Sequence, residues 1–182
     1  MEGAFLKYIN MVSYNSVLDF QFNDTVIDEP VTLTEAKNFC KIDIGTDDDL
    51  LIALITAARQ QCEAYTGVGF VEHSAVAILD NCNGGIYLPY GPTGAINQVT
   101  NWQGTVLVLD STYTLSGNEF KRMLTPREND ITVDYTTGYT TLPESMKTAL
   151  LNQIYYLYDN RAIGTDDISP IAKVLLNFYK RV

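Results

Sequence analysis

The chain has 182 residues, 46% hydrophobic and 19% charged, an ordinary globular composition that favours one domain over two. Its formal net charge of −10 argues against general nucleic-acid binding, because phosphate contacts need a surplus of Lys and Arg. No window approaches about 18 apolar residues and the N-terminus lacks a signal-peptide pattern, so we expect neither a membrane span nor secretion. The three cysteines form no C-x-x-C pair and are predicted to be reduced thiols in a cytosolic protein.

The first 28 residues are predicted to form an extended N-terminal arm. Apolar residues alternate with polar ones from Leu18 to Asn23, which is typical of a strand. The large apolar side chains of this arm must pack against something, either the body of the same chain or a neighbouring one.

Two helices are predicted next, over residues 33–41 and 47–66. Thr32 and Glu35 have the spacing of a capping box. In the second helix, apolar residues recur at helical spacing, Arg59 and Glu63 are expected on the opposite, polar face, and Gly67 is a natural stop. Three aspartates open this helix, where the positive end of the helix dipole favours carboxylates: Asp47, Asp48 and Asp49.

A β-rich insert is predicted over residues 71–135, in which short apolar runs are separated by turn signals. We expect strands over 74–80, 96–102, 105–109, 113–115, 120–124 and 131–135. The run 74–80 is apolar enough to predict burial on both faces.

The C-terminal part is predicted to be helical. Pro143 opens a helix over residues 143–162, since its missing N–H costs nothing in a first turn. Gly138 precedes it and is predicted to take a positive φ. The segment 165–182 carries a last helix that begins at Ser169 and Pro170.

No catalytic, cofactor or metal site is predicted. The only histidine, His73, has no recognisable nucleophile or orienting acid and is interpreted as a solvent-facing loop residue. The run Asp47–Asp49 lacks the alternating acidic ligands of an EF-hand loop. Dipole complementation explains these carboxylates; the functional alternative is an acidic rim that meets a basic partner or repels DNA.

Two stretches resemble the head–tail connector (adaptor, or head-completion) proteins of tailed bacteriophages. The first is VTLTEAKNFCKID…DDDLLIALITAARQQCEAYTG, in which a capped short helix precedes a long helix through an acidic turn. The second is ITVDYTTGYTTLPESMKTALLNQIYYLYDNR, with a strand end, a Pro-opened helix and a closing Asn-Arg. They cover residues 31–70 and 131–161.

The resemblance implies a structural virion protein of the neck, assembled in the host cytoplasm and without enzymatic activity. Such a protein forms a homo-oligomeric, twelve-fold ring under the portal protein, extends the DNA channel, and receives a stopper or tail protein. DNA passes through the channel without sequence-specific binding, which the acidic balance suits.

The resemblance also gives expected sites. The C-terminal segment is expected to grip the portal through an apolar stripe, with packing on the chain's own helices as the alternative: Ile171, Val174, Leu175, Phe178 and Tyr179. A second set is expected at the channel or a subunit interface: Asp47, Asp48, Asp49, Asp110 and Tyr156.

The predicted fold is α+β, with a helical body of three to four helices and a small, mostly antiparallel sheet inserted between the second and third. The predicted organisation is an arm over 1–28, a connector domain over 29–164 and a docking helix within 165–182. Alternative functions are another ring-forming neck or tail component (a stopper or tail terminator) and, from a different class, a small enzyme with an unrecognised site.

Overall fold

A computed structural model describes residues 17–24, 28–80, 85–125, 130–160 and 167–181. The chain divides into two compact units, and each is built from separate stretches of sequence. The sheet unit takes Met1–Val26 and Gly67–Thr140, and the helical unit takes Ile27–Thr66 and Thr141–Arg181. Each unit is therefore completed only when a later part of the chain returns to it.

The described part of the helical unit holds four helices: α1 Leu33–Cys40, α2 Asp48–Thr66, α3 Glu144–Asp159 and α4 Pro170–Leu176. The capping box at the start of α1 is confirmed. The Glu35 N–H donates to Thr32 Oγ1 at 3.2 Å, and the Thr32 N–H donates to Glu35 Oε2 at 2.9 Å. Helix α4 ends at Leu176, so it is shorter than the C-terminal helix expected within residues 165–182.

The core of the helical unit uses the predicted apolar face of α2. Leu51, Ile55, Ala58 and Cys62 are all buried. Helix α3 adds a second buried stripe: Met146, Ala149, Leu150, Gln153 and Ile154. Arg59 and Glu63 were expected on the polar side of α2, and that expectation is wrong, because both are buried.

The described residues of the sheet unit form seven strands: β1 Val17–Phe22, β2 His73–Leu79, β3 Ile86–Tyr87, β4 Thr93–Thr100, β5 Thr114–Ser116, β6 Arg122–Leu124 and β7 Ile131–Thr137. They form a four-stranded sheet of order β1-β2-β7-β4 and a three-stranded sheet of order β3-β6-β5. Within the described ranges, every pair of named strands is antiparallel. The predicted α+β fold with a mostly antiparallel sheet is confirmed.

Several details of the insert differ from the prediction. Strand β1 comes from before the first helix and pairs with β2, so residues 17–22 pack on the chain's own body. Residues 1–16 of the expected arm lie outside the described part. The run 105–109 makes only isolated bridges, and β3 was not anticipated. Strand β2 is fully buried on one face and half-buried on the other, because its side chains alternate.

The two sheets contribute to one hydrophobic cluster. Its members include Ala75, Ala77 and Leu79 from β2 and Val133 and Tyr135 from β7, and these five are fully shielded. The Tyr135 hydroxyl donates to Pro89 O at 2.8 Å, which satisfies its polar end inside the core.

The turn after β7 depends on a glycine. Gly138 has a φ of +97°, as predicted, and its N–H donates to Pro92 O at 2.9 Å. A Cβ atom here would stand 1.8 Å from Val71 O, so no side chain fits. The chain therefore leaves β7 in one defined direction before it continues to α3.

Candidate functional site

The C-terminal apolar stripe is largely exposed. Ile171, Val174 and Phe178 have 59%, 65% and 88% of their surfaces accessible. Leu175 and Tyr179 are half-buried. A different pair, Ala172 and Leu176, faces inward and is fully buried. Helix α4 thus packs on the chain through Ala172 and Leu176, and its other stripe is exposed to solvent.

The start of α4 is held by the α3 side chain Gln153, which is fully buried. Its Oε1 accepts the Ser169 N–H at 2.7 Å, and its Nε2 donates to Asp167 O at 3.2 Å. Ser169 in turn accepts the Ala172 N–H on its hydroxyl at 3.1 Å, as an N-cap does. The exposed stripe is therefore presented on an anchored helix.

The chain after α4 remains tied to the helical unit. The Tyr65 hydroxyl donates to Asn177 Oδ1 at 2.7 Å, and Lys180 Nζ lies 4.6 Å from the Tyr65 ring centroid. The Arg181 N–H donates to Thr66 O at 2.9 Å. Phe178 lies beyond the end of α4, but these contacts hold its segment to the helical unit. Its exposed side chain is therefore presented on an ordered part of the chain.

The expected channel or interface acids have different surroundings. Asp47 accepts a hydrogen bond from the Tyr158 hydroxyl at 2.6 Å, and Asp48 pairs with Lys37 at 2.6 Å. Asp49 is exposed in the first turn of α2. Asp110 is exposed in the other unit, in a turn where its φ is +61°. The structure therefore does not bring the four acids together in one unit.

Tyr156 is half-buried on α3, as is Tyr158. The neighbouring Tyr155 is the more exposed of the three tyrosines. Their different exposures follow from helical geometry, since residues at i, i+1 and i+3 cannot all share one face.

An ion pair between Lys147 and Glu35 fastens α3 to α1. Lys147 Nζ donates to Glu35 Oε1 at 2.6 Å. This ion pair and the hydrogen bond from the Thr32 amide lower the pKa of Glu35 to about 2. Glu35 therefore serves both the capping box of α1 and the packing of α3.

A buried charge network lies on α2 and was missed by the sequence reasoning. Arg59 Nε donates to Glu29 Oε2 at 2.8 Å, and Arg59 Nη1 donates to Glu63 Oε2 at 2.7 Å. Burial acts to lower the pKa of Arg59, but the Glu63 and Glu29 carboxylates outweigh it and raise that pKa. The i, i+4 spacing of Arg59 and Glu63 was the available signal.

His73 is not the solvent-facing loop residue that was expected. It is buried at the start of β2, with Nδ1 2.8 Å from Asp24 Oδ1 and its ring centroid 4.3 Å from that of Phe22. Burial acts to raise the pKa of Asp24, but hydrogen bonds from the Ser74 amide and His73 outweigh it and lower that pKa. His73 thus fastens the segment after β1 to β2.

The described ranges contain the buried thiol of Cys62 and show no cluster of metal ligands. Burial raises the pKa of the Cys62 thiol, with a smaller contribution from Glu63, so the reactive thiolate is disfavoured. Across the described ranges no group of three or more His, Cys, Asp or Glu side chains is placed to hold a metal ion. None of the helices described is long and apolar enough to cross a membrane.

The loop between β4 and β5 carries a second exposed apolar surface, which the sequence reasoning did not identify as a site. Its four large side chains are accessible over 46–66% of their surfaces. We call this the loop patch, and it consists of Trp102, Val106, Val108 and Leu109. Leu107 between them is buried, which shows that the segment faces the core with one side only.

Residues 30–105 match the family model of the phage gp6-like head–tail connector proteins. This part of the chain, which we call the connector region, is similar to the head–tail connector proteins. The resemblance drawn from the motif at residues 31–70 is thereby confirmed. The connector region runs from the start of α1 to the loop after β4, and the second motif, at residues 131–161, lies beyond it.

The fold that includes the connector region is also found in solved structures of gene transfer agent particles. A chain of the virion of the native particle has a TM-score of 0.75 at 16% identity, with 91% of this chain and 96% of that chain covered. A chain of the neck of the empty particle, computed with C6 symmetry, has a TM-score of 0.73 at 16% identity and the same coverage.

A third likeness is to a chain of the neck of the native particle, computed with C12 symmetry. Its TM-score is 0.70 at 15% identity, again with 91% and 96% of the two chains covered. These likenesses show that the fold is shared over nearly the whole length of both chains. No curated protein matches the sequence.

Proposed function

We propose that the chain is a structural head–tail connector subunit of a tailed phage or phage-like particle. The observation that carries this proposal is the connector-family match over residues 30–105, on a fold that covers 96% of a chain from a neck. In this role the chain has no enzymatic activity, acts in the neck of the virion between capsid and tail, and is assembled in the host cytoplasm.

The proposed assembly is a homo-oligomeric ring, twelve-fold, that lies under the portal protein and extends its DNA channel. The C12 symmetry used for a neck with a similar chain supports this number. A ring built head to tail closes on itself and leaves no free contact face. The opposite side of the ring receives a stopper or tail protein.

The negative charge of the chain supports the proposed passage of DNA through the ring. A net charge of −10 gives a surface that repels phosphates, so the duplex slides past without being held. Asp49 and Asp110 are exposed acids that suit a channel or interface position. Tyr156 remains a proposed subunit contact.

The portal-docking surface is proposed to be the exposed stripe of α4 with Phe178. Support comes from the different exposure of the two sides of this helix. Ala172 and Leu176 are buried, whereas Ile171 and Val174 are exposed. Leu175 and Tyr179 border the same stripe. An anchored apolar helix face is the kind of surface that lies in a partner's groove.

The test is co-sedimentation of the purified full chain with portal rings. The double variant Ile171→Ser, Val174→Ser should fold normally and weaken portal binding by about tenfold or more, since two anchors are lost. Tyr87→Ser, which alters an exposed side chain of β3, is the matched control and should bind as the wild type does. Undiminished binding of the double variant would show that a different surface of the chain binds the portal.

A further inference from the structure

The loop patch has no role in the fold that would explain its composition. The loop contributes Leu107 and Tyr113 to the hydrophobic cluster, whereas Trp102, Val106 and Val108 remain more than half exposed. Exposed apolar side chains are unremarkable singly, but four within eight residues mark a contact surface. Trp is also among the residues most enriched at the centres of interfaces.

The patch is presented by two hydrogen-bonded turns. At the first, Asn101 Oδ1 accepts the N–H groups of Gln103 and Thr105 at 3.1 and 2.9 Å. At the second, the Thr112 N–H donates to Val108 O at 2.8 Å, and the Val108 N–H donates to Thr112 Oγ1 at 2.6 Å. A surface held in this way loses little conformational entropy when it is covered.

We infer that the loop patch is the lateral contact through which each subunit binds a second copy of this chain in the ring. This inference rests on the proposed function and adds the residues that join neighbouring subunits. In a head-to-tail ring the patch meets a different face of the next copy, so one patch per subunit is sufficient.

Charge argues for a second copy as the occupant. Identical chains of net charge −10 repel one another, so they can meet closely only where like charges are absent. Between Thr100 and Tyr113 the sole charged residue is Asp110, at the margin of the patch. A basic partner would instead be recognised through carboxylates, which this surface lacks at its centre.

The chain contains one tryptophan, Trp102, so its fluorescence reports on the patch directly. The full chain is brought to increasing concentration in sulfate buffer, which strengthens apolar association, and sedimentation and fluorescence are measured on the same samples. As oligomers form, Trp102 emission should move to shorter wavelength and its quenching by iodide should fall. Oligomers with unchanged emission and quenching would overturn the inference.

A variant pair gives a second readout, on portal rings imaged by electron microscopy. Val106→Asp with Val108→Asp places like charges in the contact and should lower ring occupancy by about tenfold or more. Leu18→Asp, at an equally exposed apolar position on β1, is the control and should assemble normally.

The outcomes separate the two proposals. Rings that form equally well from the double variant would overturn the loop contact and leave the connector function standing. If the wild-type chain forms no ring, either alone or on the portal, both the loop contact and the ring function are contradicted.

Discussion

At the scale of single residues, the helical unit depends on charges that are paired inside it. Arg59 joins two carboxylates, from Glu29 before α1 and from Glu63 on its own helix. Such a network is costly to break, because removal of Arg59 takes its guanidinium away from the buried Glu63 carboxylate. The same arginine therefore fixes the segment before α1 against α2.

We predict that Arg59→Ala lowers the free energy of unfolding by about 3–5 kcal/mol, because Glu63 keeps its buried carboxylate. Urea denaturation followed by circular dichroism measures this loss. The matched control is Lys173→Ala, which removes an exposed ion pair with Asp167 and should leave the midpoint nearly unchanged. Equal losses of unfolding free energy for the two substitutions would mean that the Arg59 network adds no more stability than an exposed ion pair does.

Glu35 predicts a pH dependence. Its pKa is lowered from the ordinary 4.5 to about 2, so the unfolded chain binds the proton more tightly than the folded one does. The stabilisation is complete above about pH 4.5 and is lost as the pH falls towards 2. The stability advantage of the wild type over Glu35→Gln should therefore shrink across this range in urea titrations. An advantage that is constant with pH would contradict the assignment.

At the scale of elements, α4 combines an inward and an outward stripe on only two turns of helix. Leu176 is fully buried, and Val174, two residues earlier, is exposed. Packing on the chain's own helices, one of the two alternatives considered for the stripe, is carried instead by Ala172 and Leu176. Docking of the exposed stripe to a partner remains a proposal. Deletion of the whole segment would remove both functions at once, so single substitutions are the sharper test.

For α4 we predict that Leu176→Ala costs about 2–5 kcal/mol of stability, the usual range for a buried leucine. Val174→Ala on the same helix should change stability by no more than about 0.5 kcal/mol, because its side chain lies in water. Thermal or urea unfolding of the two variants decides this. If Val174→Ala were the more damaging, the assignment of the two stripes would be reversed.

Local signals in the sequence were sufficient for most helices. The capping box of Thr32 and Glu35, the apolar face of α2 and the positive φ of Gly138 all depend on neighbours in the chain. The pairing of β1 with β2 joins residues 53 to 62 positions apart, and no local pattern specifies it. The burial of His73 and Arg59 also depends on distant carboxylates, Asp24 and Glu29, so hydropathy placed both on the surface.

At the scale of the whole molecule, the candidate contact surfaces were predictable only in part. The α4 stripe followed from helical spacing, and its exposure agrees with a docking role. The residues of the loop patch were assigned to two strands of the insert, 96–102 and 105–109, because alternating valines and leucines look the same in a sheet and in an exposed loop. The two surfaces belong to different compact units.

The most direct test of the connector function is electron microscopy of the purified chain mixed with purified portal, with the chain alone as the control. The account predicts a twelve-fold ring of this protein stacked coaxially on the portal, with residues 171–178 at the contact and an open central channel. A chain that remains monomeric beside bare portal rings, and that is also absent from the neck of purified virions, would contradict it.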